Sequence, residues 1–228
     1  MINQENFLNS TNGTHFIYVA PSNSTYKEIA DYVCDGNNDS QQINAAIAAA
    51  KAGTEIILLN GKFNIKEKIN VNKSDLTIRG AGYSTVVEQV ALDGGKTSII
   101  FDITADDVKI KDMMIVDVDV DYPEYIIRTY GEVYDCQFER LFLILKSTAT
   151  NMDTYIDLSG TGIKFINCRV YSYTSVPSKM TINIVGNTPV INGMLNTGND
   201  TIRLNFSNNT YYEYANDRTE VYVNRVKQ

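Results

Sequence analysis

The sequence predicts an all-β fold, a parallel β-solenoid closed at its N-terminal end by one α-helix. Three observations carry this. A pattern of apolar, any, Asp or Asn, small or sulfur residue, any, apolar recurs in "VKIKDMMI" (108–115), "GEVYDCQF" (131–138), "IKFINCRV" (163–170) and "PVINGML" (189–195). Its anchors Asp112, Asp135, Asn167 and Asn192 lie 23, 32 and 25 residues apart, a spacing that marks a repeat architecture. Composition agrees: there are 15 Tyr and no Trp, Asn is abundant, and β-branched residues are frequent after residue 54. Asn closes turns and tolerates left-handed backbone, while Val, Ile, Thr and Tyr suit strands. Only one segment reads convincingly as a helix.

Residues 1–29 read as a polar arm followed by a short strand, "FIYVA" (Phe16–Ala20), which Pro21 ends. Residues 30–53, "ADYVCDGNNDSQQINAAIAAAKAG", carry the helix. Asp39 is the expected N-cap, and Gln42 three residues on completes a capping-box pattern. Ile43, Ala46, Ile47 and Ala50 share one helical face. Lys51 suits the negative end of the helix, and Gly53 is expected to close it. This face is narrow and small, suited to packing on the end of something flat.

Residues 54–228 are the expected solenoid with a C-terminal cap. "TEIILLNGKFNI" reads as strand, Asn-Gly turn, strand, and "KINVNKSDLTIRGAG" as two more strands. Each later unit is two short strands around a tight turn, and stacking such units builds one continuous core. A coil of about 24 residues would place six or seven coils between 54 and 210. The longer middle gap fits an insertion near 146–153. Open solenoid ends expose strand edges that need covering, which gives the helix its role.

The net charge of −7 argues against a nucleic-acid-binding surface, which needs clustered Lys and Arg. No apolar run is long enough for a transmembrane helix, so no membrane insertion is expected, and the first residues do not read as a signal peptide. Three cysteines do not make a disulfide framework.

The stretch from "ADYVCDGNND" through "LTIRGAG", about residues 30–82, closely resembles the N-terminal part of the pectate-lyase-like superfamily, and the later units resemble it loosely to about 195. The resemblance implies a single-stranded, right-handed parallel β-helix with an N-terminal capping α-helix. The "ADYVCDG-x-ND" form is most similar to phage tail and minor structural proteins. That implies a structural or receptor-contacting tail protein, non-catalytic, assembled as a homotrimer and located on a virion tail or extracellular surface. The superfamily also holds lyases and hydrolases. The polygalacturonase motifs are missing, and a Gly-His-Gly site is excluded because the chain has one His, His15. Asp106–Asp107 reads as a turn into a strand.

Candidate sites follow. Cys34 lacks a His base nearby and reads as a buried structural thiol. Asp35, Asn38 and Asp39 do not have calcium-loop spacing and read as turn and cap. Cys136 and Cys168 are expected at the same inward place in two coils. In "MIVDVDVDYPEY" (114–125), alternation turns Val116, Val118 and Val120 to one face and Asp117, Asp119 and Asp121 to the other. Such a face can bind calcium or supply a glycosidase acid and base. The resembling lyases pair calcium-binding Asp with a catalytic Arg, for which Arg128 is the nearby candidate. The plain alternative is a solvated outer strand face. No metal site is assigned, and Ca2+ is the one cofactor with a candidate ligand set. Tyr122, Tyr125, Tyr130, Tyr171 and Tyr173 are candidates for stacking on a cell-surface glycan. The functional alternatives are therefore a tail-type structural module, a polysaccharide lyase or glycoside hydrolase acting on acidic glycans, and a glycan-binding surface adhesin.

Overall fold

The computed structural model describes residues 15–90, 99–117, 125–145 and 156–172, and five further strands; beyond Arg169 only backbone is described. Strands β1 (His15–Ala20) and β2 (Tyr32–Val33) precede helix α1 (Ser40–Ala49). Then come β3 (Thr54–Leu58), β4 (Gly61–Ile65), β5 (Ile69–Val71), β6 (Leu76–Gln89), β7 (Phe101–Ile103) and β8 (Lys109–Val116). Next are β9 (Ile127–Thr129), β10 (Val133–Tyr134), β11 (Gln137–Leu145), β12 (Ile156–Thr161) and β13 (Lys164–Ser172). Strands β14 (Lys179–Val185), β15 (Val190–Asn196), β16 (Thr201–Phe206), β17 (Glu220–Val223) and β18 (Val226–Lys227) complete the order.

Successive strands do not pair with each other. One sheet runs β2-β1-β3-β6-β8-β11-β13-β15 and the second β5-β7-β9-β12-β14-β16-β17-β18, with β4 pairing β6 and β10 pairing β12. Every pairing is parallel except β17 with β18. The chain therefore winds from sheet to sheet, one rung per coil, as a parallel β-helix. A single apolar core runs from Ile17 to Cys168, with Phe63, Phe101 and Phe138 fully buried in it.

Two corners repeat along the coil. The first holds Gly53, Asp75, Asp107, Asp135 and Gly162, aligned by the registers of their strands and all at positive φ (78°, 55°, 55°, 53° and 72°). The second holds Asp112, Arg140 and Asn167 at 59°, 50° and 53°. Asp and Asn visit this region more readily than most residues, whereas Arg140 does so against its preference. A bidentate pair compensates, because Arg140 Nη2 donates to Asp112 Oδ2 at 2.9 Å and Nε donates to Oδ1.

These corners correct the expected register. Asp112 and Asn167 do share a corner, but Asp135 belongs to the other one, and Arg140 fills its place. Asp112 and Arg140, one coil apart, are separated by 28 residues, so the coil is longer than the expected 24. The Asn60–Gly61 turn is a coil corner and not a hairpin: β3 and β4 each pair in parallel with a different part of β6. Cys136 and Cys168 are both fully buried but do not stack, since Cys168 aligns with Leu141 and Cys136 with Ile163. A one-coil pattern read from two-strand units cannot tell the two corners apart, and both errors follow from that. The insertion near 146–153 lies outside the described residues.

The capping helix is present. Ile43, Ala46, Ile47 and Ala50 are buried against the first coil. Its ends are held differently from expectation. The Asp39 side chain does not cap the helix; Oδ1 accepts from Gly36 N and Oδ2 from Asn64 N, each at 2.8 Å. Gln42 Oε1 is buried without a partner, so no capping box forms. At the other end Lys73 Nζ donates to Ala48 O and Ala50 O, the second at 2.8 Å, in the role expected of Lys51. Gly53 lies beyond the helix and begins the first corner instead. Strand β1 is the first rung of the solenoid sheet, pairing with β3 from His15 to Val19.

Candidate functional site

The second sheet carries the most organised polar cluster among the described residues. In β7, β9 and β12 the inward positions Phe101, Ile103, Ile127, Ile156 and Leu158 are buried. With a side-chain period of two, the residues between them face outward. Register aligns Asn70, Asp102, Arg128 and Asp157 in one outer column along the solenoid axis.

Asp102 is the anchor of this column. Its Oδ2 accepts from Lys68 Nζ at 2.6 Å, and its Oδ1 accepts from Arg128 Nε at 3.2 Å and Nη2 at 3.1 Å. The Asp102 side chain is only 6% exposed, against 23% for Arg128 and 45% for Lys68. A nearly buried carboxylate needs such partners, because desolvation without them is costly. Two rings flank the guanidinium: its Cζ lies 5.3 Å from the Tyr125 ring centroid and 5.2 Å from that of Tyr130, within cation–π range. Backbone bonds from Ile100 N to Tyr125 O and from Tyr130 N to Ile103 O tie both tyrosines to β7. Tyr130 is 67% exposed, so its ring is open to solvent.

Arg128, Tyr125 and Tyr130 are thus brought together, as residues of one site. Asp117 is elsewhere. It follows β8 in the first sheet, its N donates to Ile144 O at 3.0 Å, and its side chain is fully buried. It therefore does not stand on an outward face, which corrects that geometric expectation: alternation fails where β8 ends and Val116 and Asp117 are both covered. Asp119, Asp121, Tyr122 and Tyr173 lie outside the described residues. Tyr171 lies in β13, where its backbone aligns with Ile144 and Asn196.

Sequence reasoning missed Asp102 and Lys68. A signal existed: "FDI", "IRT" and "IDL" each place one charged residue at the centre of a short strand, and these are the three stacked rungs.

The thiols have no chemistry to offer at neutral pH. Burial pushes Cys136 up to about 11 and Cys168 up to about 12, and raises Cys34 further, with Asp39 and Asp35 adding to the rise. No group of His, Cys, Asp and Glu among the described residues has the arrangement of a metal site. Nor is any described helix long and apolar enough to cross a membrane.

No family model matches the chain, and no curated protein matches it significantly. Among solved structures it is similar to a pectin methylesterase crystallised in complex with hexasaccharide VII, at 13% identity, covering 94% of this chain and 91% of that one, with a TM-score of 0.47. It is also similar to pectin methylesterase PemA from Erwinia chrysanthemi, at 14% identity, with coverage of 94% and 91% and a TM-score of 0.45. The assignment as a parallel β-helix rests on the chain's own strand pairings.

Proposed function

We propose that this chain is a non-catalytic β-helix module of the phage or prophage tail type, which contacts a cell-surface glycan through the outer face of its second sheet and works as a trimer. One observation carries the reading: both oxygens of Asp102 are engaged by Lys68 and Arg128, while Arg128 is held between two tyrosine rings. A general acid or base must be free to exchange a proton with substrate. Asp102 is instead a positioning group, and what reaches solvent is an aromatic face with a hydrogen-bonding tip. Such a face suits stacking on the C–H surface of a sugar ring.

The close resemblance of residues 30–82 to tail proteins supports the biological setting. The buried Asp117 removes the support that the aspartate face gave to a lyase or hydrolase.

The test is a titration of the protein with host capsular and lipopolysaccharide fragments, followed by calorimetry, comparing wild type with Tyr130→Ala and Arg128→Ala. Binding that falls at least tenfold in both variants is the expected result. Unchanged binding in both would overturn the site. Release of unsaturated sugars from acidic polysaccharide with calcium, followed by ultraviolet absorbance, would overturn the non-catalytic part.

A further inference from the structure

The first corner of the coil is an acidic ridge. Asp75, Asp107 and Asp135 stand on successive rungs, all exposed, and no salt bridge joins any of them among the described residues. Rungs are about 4.8 Å apart, and like charges stacked at that spacing repel. The backbone does not require carboxylates here, because Asn tolerates positive φ as well as Asp does. The charge itself therefore calls for a partner.

Beside the ridge runs a second column. Register aligns Phe16, Glu55, Thr77, Lys109, Gln137 and Lys164 on the outer face of the first sheet. Lys109 and Lys164 are exposed, and neither forms a salt bridge among the described residues. At the foot of the column Phe16 is 46% exposed. The molecule thus carries an acidic column and, along the adjoining face, a basic column with an apolar foot. Both are parallel to the solenoid axis and share one rung spacing.

We propose that these columns are the two halves of a heterologous interface between copies of this chain, side by side with their axes parallel. The acidic ridge of one copy lies against the Lys109–Lys164 column of the next, and Phe16 is covered at the foot. Equal rung spacing lets every carboxylate meet an ammonium without a register mismatch. Two different patches meeting at one edge of the subunit generate a closed ring about an axis parallel to the solenoid, and opposite charge fixes their order. This inference deepens the oligomeric, tail-type reading and rests on it.

Light scattering tests it at about 0.01 M and about 1 M salt, where the Debye length is about 30 Å and about 3 Å. Wild type is expected as an oligomer at low salt, shifting toward single chains at high salt. The triple variant D75N/D107N/D135N keeps residues that accept the corner geometry, and is expected as a single chain at both salts. The double variant K109Q/K164Q changes strand surface alone and should behave likewise. A single-chain mass for wild type at low salt would overturn the proposal, as would retention of the oligomer by K109Q/K164Q with its circular dichroism unchanged. The glycan reading fails separately: Arg128→Ala alters glycan binding and leaves the low-salt mass as it was.

Discussion

Replacing Asp102 by alanine removes the carboxylate that Lys68 and Arg128 share. The two halves of the loss differ. Lys68 is 45% exposed, so its pair with Asp102 is screened by solvent and contributes about 0.2–1 kcal/mol. Arg128 is 23% exposed and flanked by two rings, so its charge is partly desolvated and cannot simply rehydrate. A fully buried pair broken at one partner costs about 3–5 kcal/mol, and partial exposure brings this one to about 1–2 kcal/mol. The sum is about 2 kcal/mol. For a chain of this size each kcal/mol moves Tm by about 2–4 °C, so Asp102→Ala should melt about 4–8 °C below wild type by circular dichroism. A double-mutant cycle with Arg128→Ala isolates the pair, with an expected coupling of about 1 kcal/mol or more. A Tm within a degree or so of wild type, with additive single variants, would refute the claim that Asp102 positions Arg128.

Asp39→Ala leaves the Gly36 and Asn64 amides without their acceptor, and should cost about 1–3 kcal/mol in denaturant unfolding. Burial raises the Asp39 carboxyl above its ordinary range. The raised group binds its proton more tightly in the folded state, so that stabilisation is full below the unfolded pKa and is lost as pH rises through the folded one. Wild type should therefore gain stability relative to Asp39→Ala as pH falls from neutrality toward about 4, and a flat difference would contradict this. The three cysteines should be silent toward a thiol reagent at pH about 8 in the native state and all react in denaturant, which an absorbance titration reads directly. Gly160→Ala would set a methyl 2.0 Å from Val133 O, a backbone atom, at a φ of 153°. It should destabilise by more than about 1 kcal/mol, and an unchanged melting curve would show that the β10–β12 corner can yield.

The capping helix was legible because its signal is local: four small apolar residues at helical spacing define a face whatever it packs on. The solenoid was legible because strands of one coil length recur, and no single unit can bury its own apolar face. Register was not local. Asp112 and Asp135 carry the same sequence context yet occupy different corners, and only the pairing of Gln137 with Lys109 separates them. Likewise Asp39 has the sequence of a helix cap, but Asn64, 25 residues later, presents a backbone amide that competes for its carboxylate and wins.

What the sequence by itself determined is the class of fold, the helix that closes it, and two tyrosines and an arginine worth watching. Tertiary structure alone decided that Asp102 holds that arginine, that Asp117 is buried, and that carboxylates far apart in the chain form one ridge. The physical reason is that a solenoid makes neighbours of residues a full coil apart, and the length of each coil is set by loops whose sequences carry no period.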